Sequence, residues 1–241
     1  MLGKLDSDNN VLEINKRNED GDSLLYLATK NNNTKIVEKL MDYSNNYSIF
    51  LDINQTNEEK TYPLVTAVSK NNFEIVRLLI DYANKHNITL ELNEKDNNGY
   101  YPLLEATFNN NIDMVYLLIE YATYHNITLV MNETSAMGNY PLLLATTNGS
   151  TDMVKLLMKY SNEHNIVLDL NEKNKNNDYP IVKAAYNNNI DIVQLLIEYA
   201  KKRNFIMNVK KTDIKNSSFV SADIMELLEN YEEDKKKVNN K

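Results

Sequence analysis

The four prolines of this chain are the feature that most constrains its fold. The sequence has 241 residues and four prolines, and each proline follows a tyrosine. The prolines recur with a constant step of 39 residues, at Pro63, Pro102, Pro141 and Pro180. A fixed period of this size is typical of a solenoid, in which each unit buries its apolar face against its neighbours.

Other residue types keep the same period. An alanine lies four residues after each proline, and an earlier copy without proline has Leu24 and Ala28. A second tyrosine column and an asparagine column comprise Tyr43, Tyr82, Tyr121, Tyr160 and Tyr199, and Asn15, Asn54, Asn93, Asn132 and Asn171. A residue present in every unit serves a need that every unit shares. We therefore expect the tyrosines to pack between repeats and the asparagines to pair with turn backbone.

Within one repeat the pattern predicts two helices and an extended arm. Pro63 suits the first position of a short helix, where its missing N–H would have no partner. Asn71 can end that helix in the left-handed conformation, and Asn72 can cap the next one; Gly149 takes the first of these roles in the fourth repeat. The string "EIVRLLIDYA" predicts a longer second helix, and "ITLELNEKDNNG" predicts an extended arm and a polar turn.

These residues resemble the ankyrin repeat. The matching strings are "GYYPLLEA" at 99–106 and "NNFEIVRLL" at 71–79, although Tyr replaces the family's Thr and the His after Pro-Leu is absent. The losses affect the family's Thr–His hydrogen bonding and not its helix pair. The resemblance implies an all-α, ankyrin-type α-solenoid of helix-turn-helix units joined by extended arms and hairpin-like turns. The family's period is about 33, so about six extra residues lengthen either the second helix or the arm.

Other helical arrays fit less well. Tetratricopeptide and pentatricopeptide repeats lack the Pro-Leu-x-x-Ala start, and HEAT repeats lack a Gly or Asn turn before each proline. We expect an N-terminal arm or cap at 1–20, the repeat array at 21–204, a shortened capping repeat at 205–231 and a frayed, charged, flexible tail at 232–241. The string "KKTDIKNSSFVS" at 210–221 would form a shortened first helix or none.

Composition limits the partners. The chain has no cysteine and a net charge of −8, which disfavours disulfides, thiolate zinc sites and a nucleic-acid groove. The N-terminus lacks a secretory pattern, and no apolar stretch is long enough to cross a bilayer. We expect a cytoplasmic monomer that binds neither nucleic acid nor membrane.

The three histidines offer the clearest alternative chemistry. His86, His125 and His164 lie one period apart, so stacking would separate them by about 8–10 Å. Zinc requires its ligands within about 2.1 Å of one point. No Ser/His/Asp grouping or phosphate loop is present either. We expect no metal, no cofactor and no enzymatic activity.

The ankyrin resemblance implies a protein-binding module that acts as an adaptor, a scaffold or an inhibitor. An effector or subunit that recruits a partner enzyme is the alternative. Exposed positions that differ between repeats can recognise a specific partner, and they fall on the turns and first helices that ankyrin proteins present. The candidate anchors are Tyr100, Phe108, Met137 and Tyr186. In a competing interpretation, Phe108 and Tyr186 only cover the junction between helices.

Overall fold

A computed structural model gives the fold and describes residues 13–209, 214 and 220–239. These residues form helices and irregular segments without a β-strand, and an isolated bridge pairs Arg17 with Ser23. The chain divides into two compact units, Met1–Asn97 and Asn98–Lys241.

Over residues 13–97, the first unit contains two helix pairs. Helices α1 and α2 span Leu24–Lys30 and Thr34–Tyr47, and helices α3 and α4 span Pro63–Ser69 and Phe73–His86. The two helices of each pair contact each other. In addition, α1 packs on α3 and α2 packs on α4, so first helices lie beside first helices and second helices beside second helices.

In its described residues, the second unit contains three helix pairs and a helix close to the C-terminus. The pairs are α5 (Pro102–Phe108) with α6 (Ile112–Tyr124), α7 (Pro141–Thr147) with α8 (Thr151–Glu163), and α9 (Pro180–Tyr186) with α10 (Ile190–Lys202); α11 spans Ala222–Asn239. The first helices α5, α7 and α9 pack in succession, α8 packs on α10, and α10 packs on α11. Within each unit the described chain thus has the all-α, ankyrin-type solenoid fold that the resemblance implies.

The helices begin and end at the residues that the sequence predicts. Each proline starts a seven-residue helix, as Pro63 starts α3. Asn71 then adopts a left-handed φ of 55°, and the Asn72 side chain accepts a 2.9 Å hydrogen bond from the Ile75 N–H. In the fourth repeat Gly149 has a φ of 66°. The predicted helix starts and ends are confirmed at these positions.

The tyrosine before each proline is buried and joins its repeat to the next arm. The hydroxyls of Tyr62, Tyr101 and Tyr140 donate to carbonyls 32 residues further along, at distances of 3.0, 2.9 and 3.1 Å. Burial raises the pKa of these three hydroxyls far above the usual range, and nearby carboxylates add to the shift. The predicted packing role of this column is confirmed.

The second tyrosine column bonds in the opposite direction along the chain. The hydroxyl of Tyr82 accepts from the backbone N–H of Leu51 in the preceding arm at 3.1 Å. Tyr160 accepts in the same way from Leu129 at 2.9 Å. Within the second unit, the repeat that contains Tyr140 and Tyr160 is therefore bonded to the following arm by the first tyrosine and to the preceding arm by the second.

The asparagine column pairs with the arm of the following repeat, whereas we expected it to pair with the turns. Asn132 Nδ2 donates to the Val167 carbonyl at 2.7 Å, and its Oδ1 accepts from the Asp169 N–H at 3.0 Å. Asn15, Asn54 and Asn171 make the same pair of bonds. The side-chain amide takes the place of a neighbouring β-strand. Its Nδ2 donates to a backbone carbonyl of the arm, and its Oδ1 accepts from a backbone N–H of the arm.

The C-terminal segment differs from expectation. Helix α11 continues to Asn239, so residues 232–239 are helical where we expected a frayed tail. Glutamates followed four residues later by lysines, such as Glu233 and Lys237, favour a helix there. Most of segment 210–221, where a shortened first helix was possible, and most of the N-terminal arm at 1–20 lie outside the described residues.

Candidate interaction surface

Successive turns of the second unit pack backbone against backbone. Gly99 and Gly138 hold equivalent turn positions with φ values of 78° and 77°. A Cβ atom on Gly99 would lie 2.9 Å from Ser135 Cα, and one on Gly138 would lie 2.8 Å from Asn174 Cα. The Ala136 N–H donates to the Asn98 carbonyl at 2.7 Å. The close approach of the backbones accounts for glycine at both positions.

Two of the predicted anchors lie on these turns. Met137 is 46% exposed, and its carbonyl accepts a 3.0 Å hydrogen bond from the Lys175 N–H of the next turn. Tyr100 follows Gly99 and is half-buried. The backbone of Met137 is thus fixed while its side chain remains accessible.

The other two anchors lie at the ends of first helices. Phe108 ends α5 and is 56% exposed, and Tyr186 ends α9 and is 40% exposed. Thr147 holds the same position at the end of α7 and is also exposed. Since α7 packs on both α5 and α9, Phe108 and Tyr186 belong to one row of helix ends with Thr147 between them.

Side-chain hydrogen bonds hold this row in place. Asn148 Nδ2 donates to the Thr107 carbonyl at 2.9 Å, and Asn187 Nδ2 donates to the Thr146 and Thr147 carbonyls at 3.0 and 2.9 Å. The last carbonyls of a helix have no partner within the helix, so these asparagines satisfy them from the next repeat. The bonds tie the end of each first helix to its neighbour and fix the base from which Phe108 projects.

The histidines stack on tyrosines of their own helices. Ring centroids of Tyr82 and His86 are 4.2 Å apart, and those of Tyr160 and His164 are 4.1 Å apart. His86 Nε2 also lies 2.8 Å from Asn45 Oδ1. Among the described residues, no group of three or more His, Cys, Asp or Glu side chains could hold a metal ion. The spacing of four residues signals such stacking in a helix, and our sequence analysis did not use it.

The family model of ankyrin repeats (3 copies) matches the chain over residues 5–89, 47–130 and 125–213. The chain belongs to the ankyrin repeat family. Comparison with curated proteins gives no match. Ankyrin repeats are generally protein–protein interaction modules, and members of the family are typically non-catalytic.

This ankyrin array replaces the family's Thr–His pair with a tyrosine and an apolar residue. Where the family has His after Pro-Leu, the chain has Val65, Leu104, Leu143 and Val182, which are all buried. Where the family has Thr, the tyrosine hydroxyl bonds to the next arm instead. The repeats therefore keep the ankyrin helix pair with a different link between neighbours.

Two exposed aromatic residues on the second helix α6 were missed by the sequence analysis. Tyr116 and Tyr124 are 53% and 77% exposed, so this ankyrin array also presents aromatic side chains away from its first helices. A comparison of second-helix positions between repeats could have found them.

In the part of the chain that the structure describes, no helix is both long and apolar enough to span a membrane.

Proposed function

We propose that this ankyrin repeat protein is a non-catalytic adaptor, scaffold or inhibitor that binds a protein partner through the turns and first helices of its second unit. Tyr100, Phe108, Met137 and Tyr186 are the proposed anchors. The observation that carries the proposal is the exposure of Phe108 and Tyr186 at equivalent helix ends, 56% and 40%, on a row of packed helices.

The exposed aromatic rings offer apolar contact area on a rigid base. Aromatic side chains supply a large contact area and lose little conformational entropy when they bind. The row also contains Thr147, a small side chain between two large ones. The surface is therefore uneven, and a partner of complementary shape can fit it. Anchors of this type account for most of the affinity in protein interfaces.

The proposal also includes the class of partner, the cellular location and the oligomeric state of the protein. A net charge of −8 repels phosphate backbones, so we infer a protein partner instead of a nucleic acid. The absence of cysteine fits a reducing compartment, which supports a cytoplasmic location. We further propose that the protein acts as a monomer.

The experiment is affinity purification from the native cell, followed by calorimetry with the partner so identified. Phe108→Ser and Tyr186→Ser should each weaken binding by about 1–3 kcal/mol. Tyr124→Ser is the matched control, because it removes a more exposed aromatic ring from the second helix α6. Unchanged affinity in the first two variants, with a loss in the control, would place the interface elsewhere.

A further inference from the structure

The first unit has an open groove of about 350 Å³ between the second helices α2 and α4. The turns and first helices do not line it, so it is separate from the surface proposed above. Helix α2 contributes Glu38, Met41, Asp42 and Asn45, and helix α4 contributes Leu78, Asp81, Tyr82 and Lys85.

The floor of the groove is apolar and fixed. Met41 and Tyr82 are buried, and Leu78 is half-buried. The Tyr82 hydroxyl lies 2.6 Å from Ser44 Oγ and accepts from the Leu51 N–H, so its ring cannot swing to fill the groove. An aliphatic or planar side chain of a partner could rest on this floor.

The rim is acidic and has no ion-pair partner among the described residues. Glu38 and Asp42 are exposed on α2 at a spacing of four residues, where like charges repel each other. Asp81 faces them from α4, and Lys85 is the only cation among the lining residues. Within the described chain, none of these three carboxylates has a lysine or arginine nitrogen within 4.0 Å.

The repeats provide an internal comparison for this groove. The equivalent floor positions on α8 and α10 are Met158, Leu195 and Tyr199, the same three residue types. The equivalent rim positions are Lys155, Lys159, Glu198 and Lys202, which reverses the balance of charge. The apolar floor is therefore common to both helix pairs, whereas the balance of charge on the rim differs between them.

We propose that the α2/α4 groove binds a basic segment of a protein partner. The aliphatic stem of an arginine or lysine lies on the floor, and its charged head lies between Glu38, Asp42 and Asp81. Arginine is favoured, because its planar guanidinium has five N–H donors and can bond two carboxylates at once. This occupant relieves the repulsion between Glu38 and Asp42.

The test is an NMR titration of the full chain with acetylated tetra-arginine amide as the probe and tetra-glutamate as the control peptide. Tetra-arginine should shift backbone amide signals on α2 and α4, and added salt should weaken its binding. The paired substitutions Glu38→Gln and Asp42→Asn should weaken binding by about threefold to tenfold. Both residues are exposed and the substitutions remove their mutual repulsion, so the thermal midpoint should not fall.

A converse variant tests whether an apolar floor and an acidic rim together are sufficient to bind tetra-arginine. Lys155→Glu with Lys159→Glu gives α8 an acidic rim beside Met158 and Tyr199, and we expect tetra-arginine to shift signals there as well. Shifts spread over all acidic residues, unchanged affinity in the α2 variant, or no gain in the α8 variant would overturn the proposal. So would concentration-dependent self-association lost in the α2 variant, which would make a second copy the occupant.

Discussion

The hydroxyl of Tyr231 accepts a 3.0 Å hydrogen bond from the backbone N–H of Met207. Tyr199 makes the same bond with the Leu168 N–H, also at 3.0 Å, one repeat earlier. Helix α11 thus makes the contact of a second helix, although only 32 residues separate the two tyrosines where the other repeats have 39. Ile224, Leu228 and Tyr231 bury their side chains on α11, and α11 packs on α10.

Truncation after Lys202 removes this helix and should expose Val193, Leu196 and Ile197 on α10. Three apolar side chains of α11 lose their burial, so we expect a loss of roughly 5 kcal/mol and aggregation. Size-exclusion chromatography and thermal unfolding measure both effects. Truncation after Lys235 is the control, because it retains Tyr231 and the 2.8 Å ion pair of Lys201 with Asp234. A monomeric Lys202 truncation with an unchanged midpoint would show that α11 is not a cap.

Substitution by asparagine should affect stability differently at two glycines with positive φ. A Cβ on Gly149 meets only Asn189 Nδ2, at 3.9 Å, and Asn71 holds the equivalent position in the second repeat. We expect Gly149→Asn to change stability by less than about 0.5 kcal/mol. Gly99→Asn should cost about 1–3 kcal/mol, because its Cβ meets the backbone of the next turn.

Chemical denaturation of the two variants measures this difference. Lys60 holds the turn position equivalent to Gly99 with a φ of 59°, so the left-handed conformation alone is tolerated there. Equal free energies of unfolding for the two variants would mean that the turns yield easily, and that their close packing does not select glycine.

Asn132 should contribute to stability through the arm of the next repeat. Asn132→Ala leaves the Val167 carbonyl and the Asp169 N–H without their side-chain partners, so we expect a loss of about 1–2 kcal/mol. Asn176→Ala is the control, because that side chain is exposed in a turn. Hydrogen exchange of the Asp169 amide should accelerate in the Asn132 variant only. Identical exchange rates in both variants would remove the proposed link.

The buried tyrosines should make the fold sensitive to alkaline pH. Burial raises the pKa of Tyr62, Tyr101 and Tyr140, so the folded chain retains protons that the unfolded chain releases above about pH 10. Stability is therefore full below that pH and falls as the pH rises, by up to about 1.4 kcal/mol per pH unit for each tyrosine.

Urea denaturation between about pH 9 and pH 11.5 measures this slope. Tyr101→Phe should reduce it by about 1.4 kcal/mol per pH unit, since one buried hydroxyl is removed. Ultraviolet absorbance reports tyrosine ionisation, and circular dichroism reports the fold. Ionisation of every tyrosine near pH 10 in a chain that is still folded would show that burial does not raise the pKa of these hydroxyls.

Much of the fold was predictable because its signals are local. Pro63 and Asn72 mark helix starts through their own backbone chemistry, and the period identifies which residues recur in every repeat. The partner of Asn132 was not predictable, because the sequence does not show which distant backbone lacks a hydrogen bond. The helical state of 232–239 was predictable from the spacing of Glu and Lys, but we gave more weight to its charge.

The candidate surfaces were predictable only in part. A comparison of turn and first-helix positions selected Phe108 and Tyr186 as candidate anchors, and both side chains are exposed. The acidic rim at Glu38 and Asp42 was missed because second-helix positions were not compared in the same way. Its apolar floor requires the packing of α2 on α4, which a sequence period does not specify.

Site-specific photo-crosslinking in the native cell tests the central claim most directly. A benzoylphenylalanine probe is placed at Phe108, at Tyr186 and, as a control, at Tyr124 on the second helix α6. The proposed interface predicts that one protein is captured from positions 108 and 186 and not from position 124. Capture from position 124 alone would contradict binding through the turns and first helices.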